Sequence, residues 1–176
     1  MADKVLQIHP TLNVPYEVEG TVVSAGAGNA GDIPALDATG KLDMSVLPNG
    51  IGADTAIIKA SETLAAGDFV NIYNNSGTAN VRKADASQAN AGRIAHGYVT
   101  SGVSPAANAT VYFEGTNAQL TGLTPGTTYA LSHTTPGGVI ALGSATTTAG
   151  HSLQVLGVAT SATAINVEIG KPTIRG

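Results

Sequence analysis

Phe69-Val-Asn-Ile-Tyr-Asn-Asn-Ser-Gly-Thr-Ala-Asn-Val-Arg-Lys-Ala84 is the stretch on which the fold turns. Phe69–Tyr73 carries the two-residue alternation of a strand, Asn74-Asn-Ser-Gly77 is turn chemistry, and Thr78–Ala84 returns as a second strand. A β-hairpin is the expectation. Outward from it the same grammar repeats: Ala56–Ala60, Arg93–Thr100, the aromatic run Ala109–Gly115, and the shorter Ala118–Leu120, Thr128–Leu131 and Gly138–Leu142. Leu153–Ala159 and Thr163–Ile169 close the chain as a second expected hairpin. Asp85–Asn90 reads as a loop or one helical turn. No stretch sustains a 3.6-residue amphipathic period. Short strands separated by turns every 8–12 residues predict an all-β body, a small antiparallel β-barrel or β-sandwich.

Residues 55–176 make up that body. Residues 1–54 read differently, as an extended, largely irregular N-terminal arm and linker. Lys4–His9 and Tyr16–Val23 have strand character, but Pro10 and Pro15 lie between and mark them as edge or docked strands. Residues 24–54 hold Pro34, Pro48 and several glycines, with one short helical turn expected near Lys41–Val46. A compact domain rarely needs so long an irregular segment, so it is expected to be flexible or laid against a partner.

Charge narrows the function. Charged residues are 11% of the chain, against about 25% in ordinary soluble proteins, and 22 of 176 residues are Gly. Such a surface suits one partly covered by neighbours. The net charge of −4 is uneven. Asp3, Glu17, Glu19, Asp32, Asp37, Asp43 and Asp54 face only Lys4 and Lys41 in the arm, leaving the body near neutral. Clustered Lys and Arg are missing, which argues against nucleic acid; an acidic arm permits docking on a basic protein surface. There is no Cys, which removes disulfides and thiolate chemistry. No signal-like apolar segment opens the chain and no apolar run approaches 18 residues, so neither export nor a membrane partner is expected.

No motif assembles a catalytic or cofactor site. Gly26-Ala-Gly-Asn-Ala-Gly31 fits a dinucleotide-binding pattern, yet Asp32-Ile-Pro34 follows where a helix must open. Asp37-Ala-Thr-Gly-Lys-Leu-Asp43 spaces oxygen donors like a cation loop, but Lys41 opposes a cation and the bidentate Glu is missing; turns capped by Asp37 and Asp43 are the better reading. His9, His96, His133 and His151 are dispersed, with His96 expected to be hydrogen-bonded in the interior or at an interface. Glu114 and Glu168 end strands in echoing positions, but the aromatics of a sugar cleft are scarce. The echo itself, Gly97-Tyr-Val-Thr-Ser101 against Gly157-Val-Ala-Thr-Ser161, suggests two related hairpins forming halves of one barrel. Neither enzyme, metal, cofactor nor small-molecule substrate is expected.

Two resemblances follow. Leu123-Thr-Pro-Gly-Thr-Thr-Tyr129 resembles the tyrosine corner of fibronectin type III domains, whose Tyr hydroxyl bonds back to the chain a few residues upstream. More broadly, Leu36-Asp-Ala-Thr-Gly-Lys-Leu-Asp-Met-Ser-Val-Leu-Pro48 resembles the linker that joins attachment regions to β-structure in bacteriophage fibre and head-associated proteins. Leu64-Ala-Ala-Gly-Asp-Phe-Val70, Ala95-His-Gly-Tyr-Val99, Leu123-Thr-Pro-Gly126 and Leu156-Gly-Val-Ala159 are similar to phage capsid decoration proteins. The resemblance implies a virion structural protein, made in the host cytoplasm and placed on the outer surface of the particle. Two roles follow from it: a decoration (cement) protein on the head, or a head-fibre or tail-fibre component. The implied partners are the major capsid protein and copies of the chain itself, as a homotrimer. The expected contact residues are Val5, Leu6, Ile8, Val14, Tyr16, Val18, Val22 and Val23, with strand addition through Lys4–His9 or Tyr16–Val23 supplying directional bonds.

Overall fold

The structure is a computed structural model that describes residues 4–47, 53–87, 92–145 and 147–176. Pro48 of the linker motif and residues 88–90 of the expected loop lie outside the described residues. The protein is all-β. Among the described residues helix is confined to 3₁₀ turns at Gly26–Asn29, Met44–Val46 and Leu142–Ser144. Two compact units, Met1–Gly52 and Ala53–Gly176, divide the chain.

In the first unit β1 (Lys4–Ile8) and β2 (Pro15–Glu19) form an antiparallel hairpin, in register from Lys4 opposite Glu19 to Ile8 opposite Pro15. Pro15 takes the first position of its strand, where its missing N–H does least harm. The connection is closed by His9 N–H to Val14 O at 2.9 Å and Asn13 N–H to His9 O at 2.9 Å, with Asn13 left-handed at φ 53°. β2 ends at Glu19, short of the Val23 expected from the sequence. Beyond it the chain pairs elsewhere: Thr21 N–H bonds Ile33 O at 2.8 Å, and Ala35 N–H bonds Thr21 O at 3.0 Å.

The linker motif is a tight turn. Gly40 N–H bonds Asp37 O at 3.0 Å and Asp37 N–H bonds Lys41 O at 2.7 Å, with Gly40 at φ 77°. This is a type I turn closed by a bulge glycine, which places Asp first and needs Gly last. Asp37 Oδ1 accepts the N–H and hydroxyl of Thr39 at 2.8 and 2.7 Å and the N–H of Lys41 at 3.0 Å. Asp43 Oδ1 accepts Ser45 N–H at 2.9 Å at the head of the next 3₁₀ turn. The N–H of Lys41 and then the groups of Thr39 hold the Asp37 carboxyl below the usual Asp range, and the side chain and N–H of Ser45 do the same for Asp43.

The second unit builds a closed barrel from β3 (Thr55–Ala60), β4 (Phe69–Asn75), β5 (Thr78–Lys83), β6 (Gly97–Tyr98) and β7 (Asn108–Tyr112), in the order β3-β5-β4-β6-β7. β4 and β5 are the expected hairpin. Their two-residue loop, Ser76-Gly77, has both residues left-handed (φ 53° and 88°), the turn whose twist matches the strands. All pairs are antiparallel except one: Lys59 opposite Asn80 and Ala60 opposite Val81 run parallel and close the ring. Five strands enclose a narrow space filled mostly by small side chains: Ala60, Val70, Val81, Val99, Ala109 and Val111 are fully buried, and Leu64 is buried among them.

A five-stranded antiparallel sheet lies in the same unit: β8 (Gly115–Asn117), β9 (Thr128–Leu131), β10 (Val139–Ala141), β12 (Val155–Ala159) and β13 (Ile165–Val167), ordered β10-β9-β12-β13-β8. β11 (Ser152–Leu153) pairs with β14 (Thr173–Ile174). Barrel and sheet share a second core, where Phe69, Tyr98, Leu131, Leu156 and Ile165 meet. This explains why Phe69, Val70 and Asn71 are buried in succession: Val70 fills the barrel and Phe69 the core outside it. The echoing hairpins fall in different layers, β6–β7 in the barrel and β12–β13 in the sheet, rather than in one barrel.

Buried polar groups fasten these layers. Gln154 accepts Ala95 N–H at 2.7 Å and donates to the carbonyls of Ala95 and Gly170 at 3.0 and 3.1 Å. Tyr129 Oη accepts Thr124 N–H at 2.9 Å, the bond the tyrosine-corner likeness implies, and Gly126 beside it is left-handed at φ 80°. His96 Nδ1 accepts Ile72 N–H at 3.0 Å, so its proton sits on Nε2. Burial lowers the His96 pKa below its ordinary value of 6.5. The unfolded chain therefore binds a proton that the folded chain refuses, and the stability linked to this site is whole above pH ~6.5 and falls as the pH drops below it. Thermal melts between pH 7.5 and about 5 should show a falling midpoint that is flattened in His96→Gln; an identical slope in both proteins would remove His96 as the cause.

Candidate partner interface

The hairpin is where the predicted contact residues gather. Its register fixes two faces. Lys4, Leu6 and Ile8 share one face with Glu19, Glu17 and Pro15; Val5 and Gln7 share the other with Val18 and Tyr16. Leu6 is 70% exposed and Ile8 60%, while Val5 and Tyr16 are also exposed and Val18 is half-buried. Apolar side chains thus stand on both faces of a two-stranded sheet, which by itself is marginal in water. Among the described residues of this unit no third strand pairs with β1 or β2, so each keeps one open edge.

Local bonds shape the surface without covering it. Lys4 Nζ meets Glu17 Oε2 at 2.9 Å across the Leu6 face, an exposed pair that adds little energy but fixes charge beside the apolar patch. On the other face Tyr16 Oη donates to Gln7 Oε1 at 3.4 Å, and the His9 ring stands edge-on to Tyr16 at 5.2 Å.

The remaining predicted residues are dispersed. Val14 is exposed at the end of the turn. Val22 is half-buried and Val23 is 61% exposed, both beyond the hairpin. Sequence reasoning missed three exposed apolar residues of the same unit, Leu12, Leu36 and Leu42. Leu12 tips the hairpin turn; Leu36 and Leu42 flank the Asp37–Lys41 turn, and their place on either side of an Asp-x-x-Gly-Lys turn was the signal available.

The motifs weighed for other chemistry settle into structure. Gly26–Asn29 is a single 3₁₀ turn, and Asp32-Ile33-Pro34 continues as the segment that bridges to Thr21 in place of a helix. Glu114 and Glu168 are both exposed. His133 and His151 come together, ring centroids 5.6 Å apart, a convergence their spacing in sequence does not announce. Among the described residues no group of three His, Asp or Glu could hold a metal ion, and no helix is long and apolar enough to cross a membrane. Comparison with protein-family models, curated proteins and solved structures finds no match to this chain.

Proposed function

We propose that this protein is a non-enzymatic bacteriophage virion component, a decoration or cement protein that binds the outer surface of the assembled head. The observation that carries the reading is the N-terminal hairpin: open strand edges and apolar side chains on both faces, in a unit whose acids outnumber its bases. Such a hairpin is suited to strand addition and apolar docking on the major capsid protein, with its acidic surroundings favouring a basic patch. Binding only the assembled shell would stabilise that shell by mass action. The all-β body, poor in charge, is the part expected to pack against copies of itself, as a homotrimer.

The linker turn at Asp37–Lys41 favours a second reading, a head-fibre or tail-fibre component, because the motif it belongs to is more familiar from fibres. Copy number separates the two. Quantitative mass spectrometry of purified virions, scaled to the major capsid protein, is expected to find hundreds of copies per particle. A few to a few dozen would move the protein to a fibre, and absence from the particle would overturn both readings.

A further inference from the structure

The hydrogen-bond phase of the N-terminal hairpin decides which residues face its open edges. His9 N–H bonds Val14 O at 2.9 Å, so His9 and Val14 bond inward, across the hairpin. In an antiparallel ladder such pairs alternate with pairs that turn their backbone groups outward. Counted back along the unbroken register, Gln7 bonds inward to Tyr16 and Val5 to Val18. Lys4, Leu6 and Ile8 therefore aim their N–H and C=O groups out of the β1 edge, and Pro15, Glu17 and Glu19 aim theirs out of the β2 edge. The two edges differ. Pro15 has no N–H, and Glu17 and Glu19 are exposed carboxylates, so the β2 edge carries two devices that discourage pairing. On the β1 edge every outward residue keeps its N–H, and Leu6 and Ile8 are exposed apolar side chains. The charge on β1 is Lys4, which lies at its end and is already matched by Glu17.

We infer that the β1 edge pairs with the β1 edge of a second copy of this chain, antiparallel about a two-fold axis at Leu6. Leu6 then lies opposite Leu6 of the second copy, and Lys4 opposite Ile8. Each pair exchanges two hydrogen bonds, so every outward N–H and C=O of β1 finds a partner. No like charges meet, because Lys4 stands between Glu19 of its own chain and Ile8 of the second copy. The alternatives fit worse. Joining two β2 edges in the same phase sets Glu17 against Glu17 and lacks the donor at Pro15. Joining β1 to the β2 of a neighbour sets Ile8 against Pro15, leaves the Ile8 carbonyl without a donor, and builds an open stack. The two-fold pair closes on itself, hides both unguarded edges and leaves the guarded ones outside. It also merges the Leu6 faces of two copies into one apolar surface. A contact of five residues per copy is far smaller than the roughly 20–30 residues a side of a stable interface, so it is fleeting in dilute solution and lasting where copies are held side by side.

The test therefore traps the contact instead of weighing its affinity. The chain has no Cys, so one introduced thiol reports on its own neighbours. Leu6 and Glu17 are both exposed and both face an open edge. In the full-length protein oxidised with glutathione disulfide, Leu6→Cys is expected to cross-link in pairs about tenfold faster than Glu17→Cys, because bonded antiparallel residues sit ~5.5 Å apart at Cα, within disulfide reach. A mixture of Lys4→Cys and Ile8→Cys chains should form the mixed pair ahead of either like pair. Adding Leu6→Pro to both chains removes an outward N–H and no bond within the hairpin, and should cut the mixed pair back to the rate of the like pairs. Equal rates for Leu6→Cys and Glu17→Cys would reduce the contact to random collision and overturn the inference. A preferred disulfide between Leu6→Cys and Glu17→Cys chains would overturn it in favour of the open stack. No head or capsid protein enters the experiment, so edge pairing and the decoration reading fail separately.

Discussion

Gly157→Ala is expected to destabilise the body by about 3–5 kcal/mol, combining backbone strain with overpacking. Gly157 lies in β12 at φ 146°, a conformation L side chains rarely adopt, beside the bulge between Val155 and Gly157. A Cβ there would collide with the carbonyl oxygen of Asn166 and stand 2.9 Å from Ile165 Cγ2. The nearer atom is backbone of the paired strand and cannot swing aside, so β12 and β13 must part or the strand must unwind. Both changes disturb Leu156 and Ile165, which are fully buried in the shared core. Against a total stability of about 5–15 kcal/mol the loss is large, and a midpoint lower by about 10–15 °C is the expected melt. Gly143→Ala is the control: its Cβ meets nothing within 4 Å and its φ is not positive. Equal melts for the two variants would refute the strain argument.

If the chain decorates heads as proposed, the paired substitution Leu6→Thr with Ile8→Thr should weaken its binding to assembled shells roughly 30- to 700-fold, equivalent to about 2–4 kcal/mol of lost apolar burial. Threonine keeps the β-propensity of both positions, so the hairpin should persist while its apolar face is cut back. Both residues are exposed, and their loss should leave the melting of the body within about 0.5 kcal/mol of the parent. Co-sedimentation with purified heads measures the effect. Undiminished binding with the hairpin intact would exclude the Leu6 face as the contact.

Strand grammar was legible because it is local. The Phe69–Ala84 hairpin, its Ser76-Gly77 turn and the closing β12–β13 pair all follow from alternation and turn residues over a few positions. Closure was not legible, because the parallel contact of Ala60 with Val81 depends on how distant strands meet. β6 shrinks to Gly97–Tyr98 for a similar reason: Ala95 spends its backbone bonds on the Gln154 side chain, a residue that reads as surface in sequence and is 2% exposed. On the candidate interface, composition pointed to the first unit and to Leu6 and Ile8. It could not separate exposed Val5 from half-buried Val18, which share a face and differ only in their surroundings. The grouping of Thr21, Asp32 and Ser45 escaped sequence reading altogether, since Thr21 is placed by backbone bonds with Ile33 and Ala35, and Ser45 by its Oγ accepting Ser24 N–H, and not by any motif.

The parallel seam between β3 and β5 also carries a consequence for synthesis. Once Lys83 has left the ribosome, β4 and β5 can pair through a two-residue turn, which forms on the microsecond scale. β3, made before them, must wait, because most of its ladder is owed to β7, from Thr55 opposite Tyr112 to Lys59 opposite Asn108. Until Tyr112 emerges the ring is open and its Val and Ala lining is wet. The nascent chain thus spends its vulnerable interval with β3 unpaired along most of its length, a stage at which a slow ribosome or a missing chaperone would be felt most.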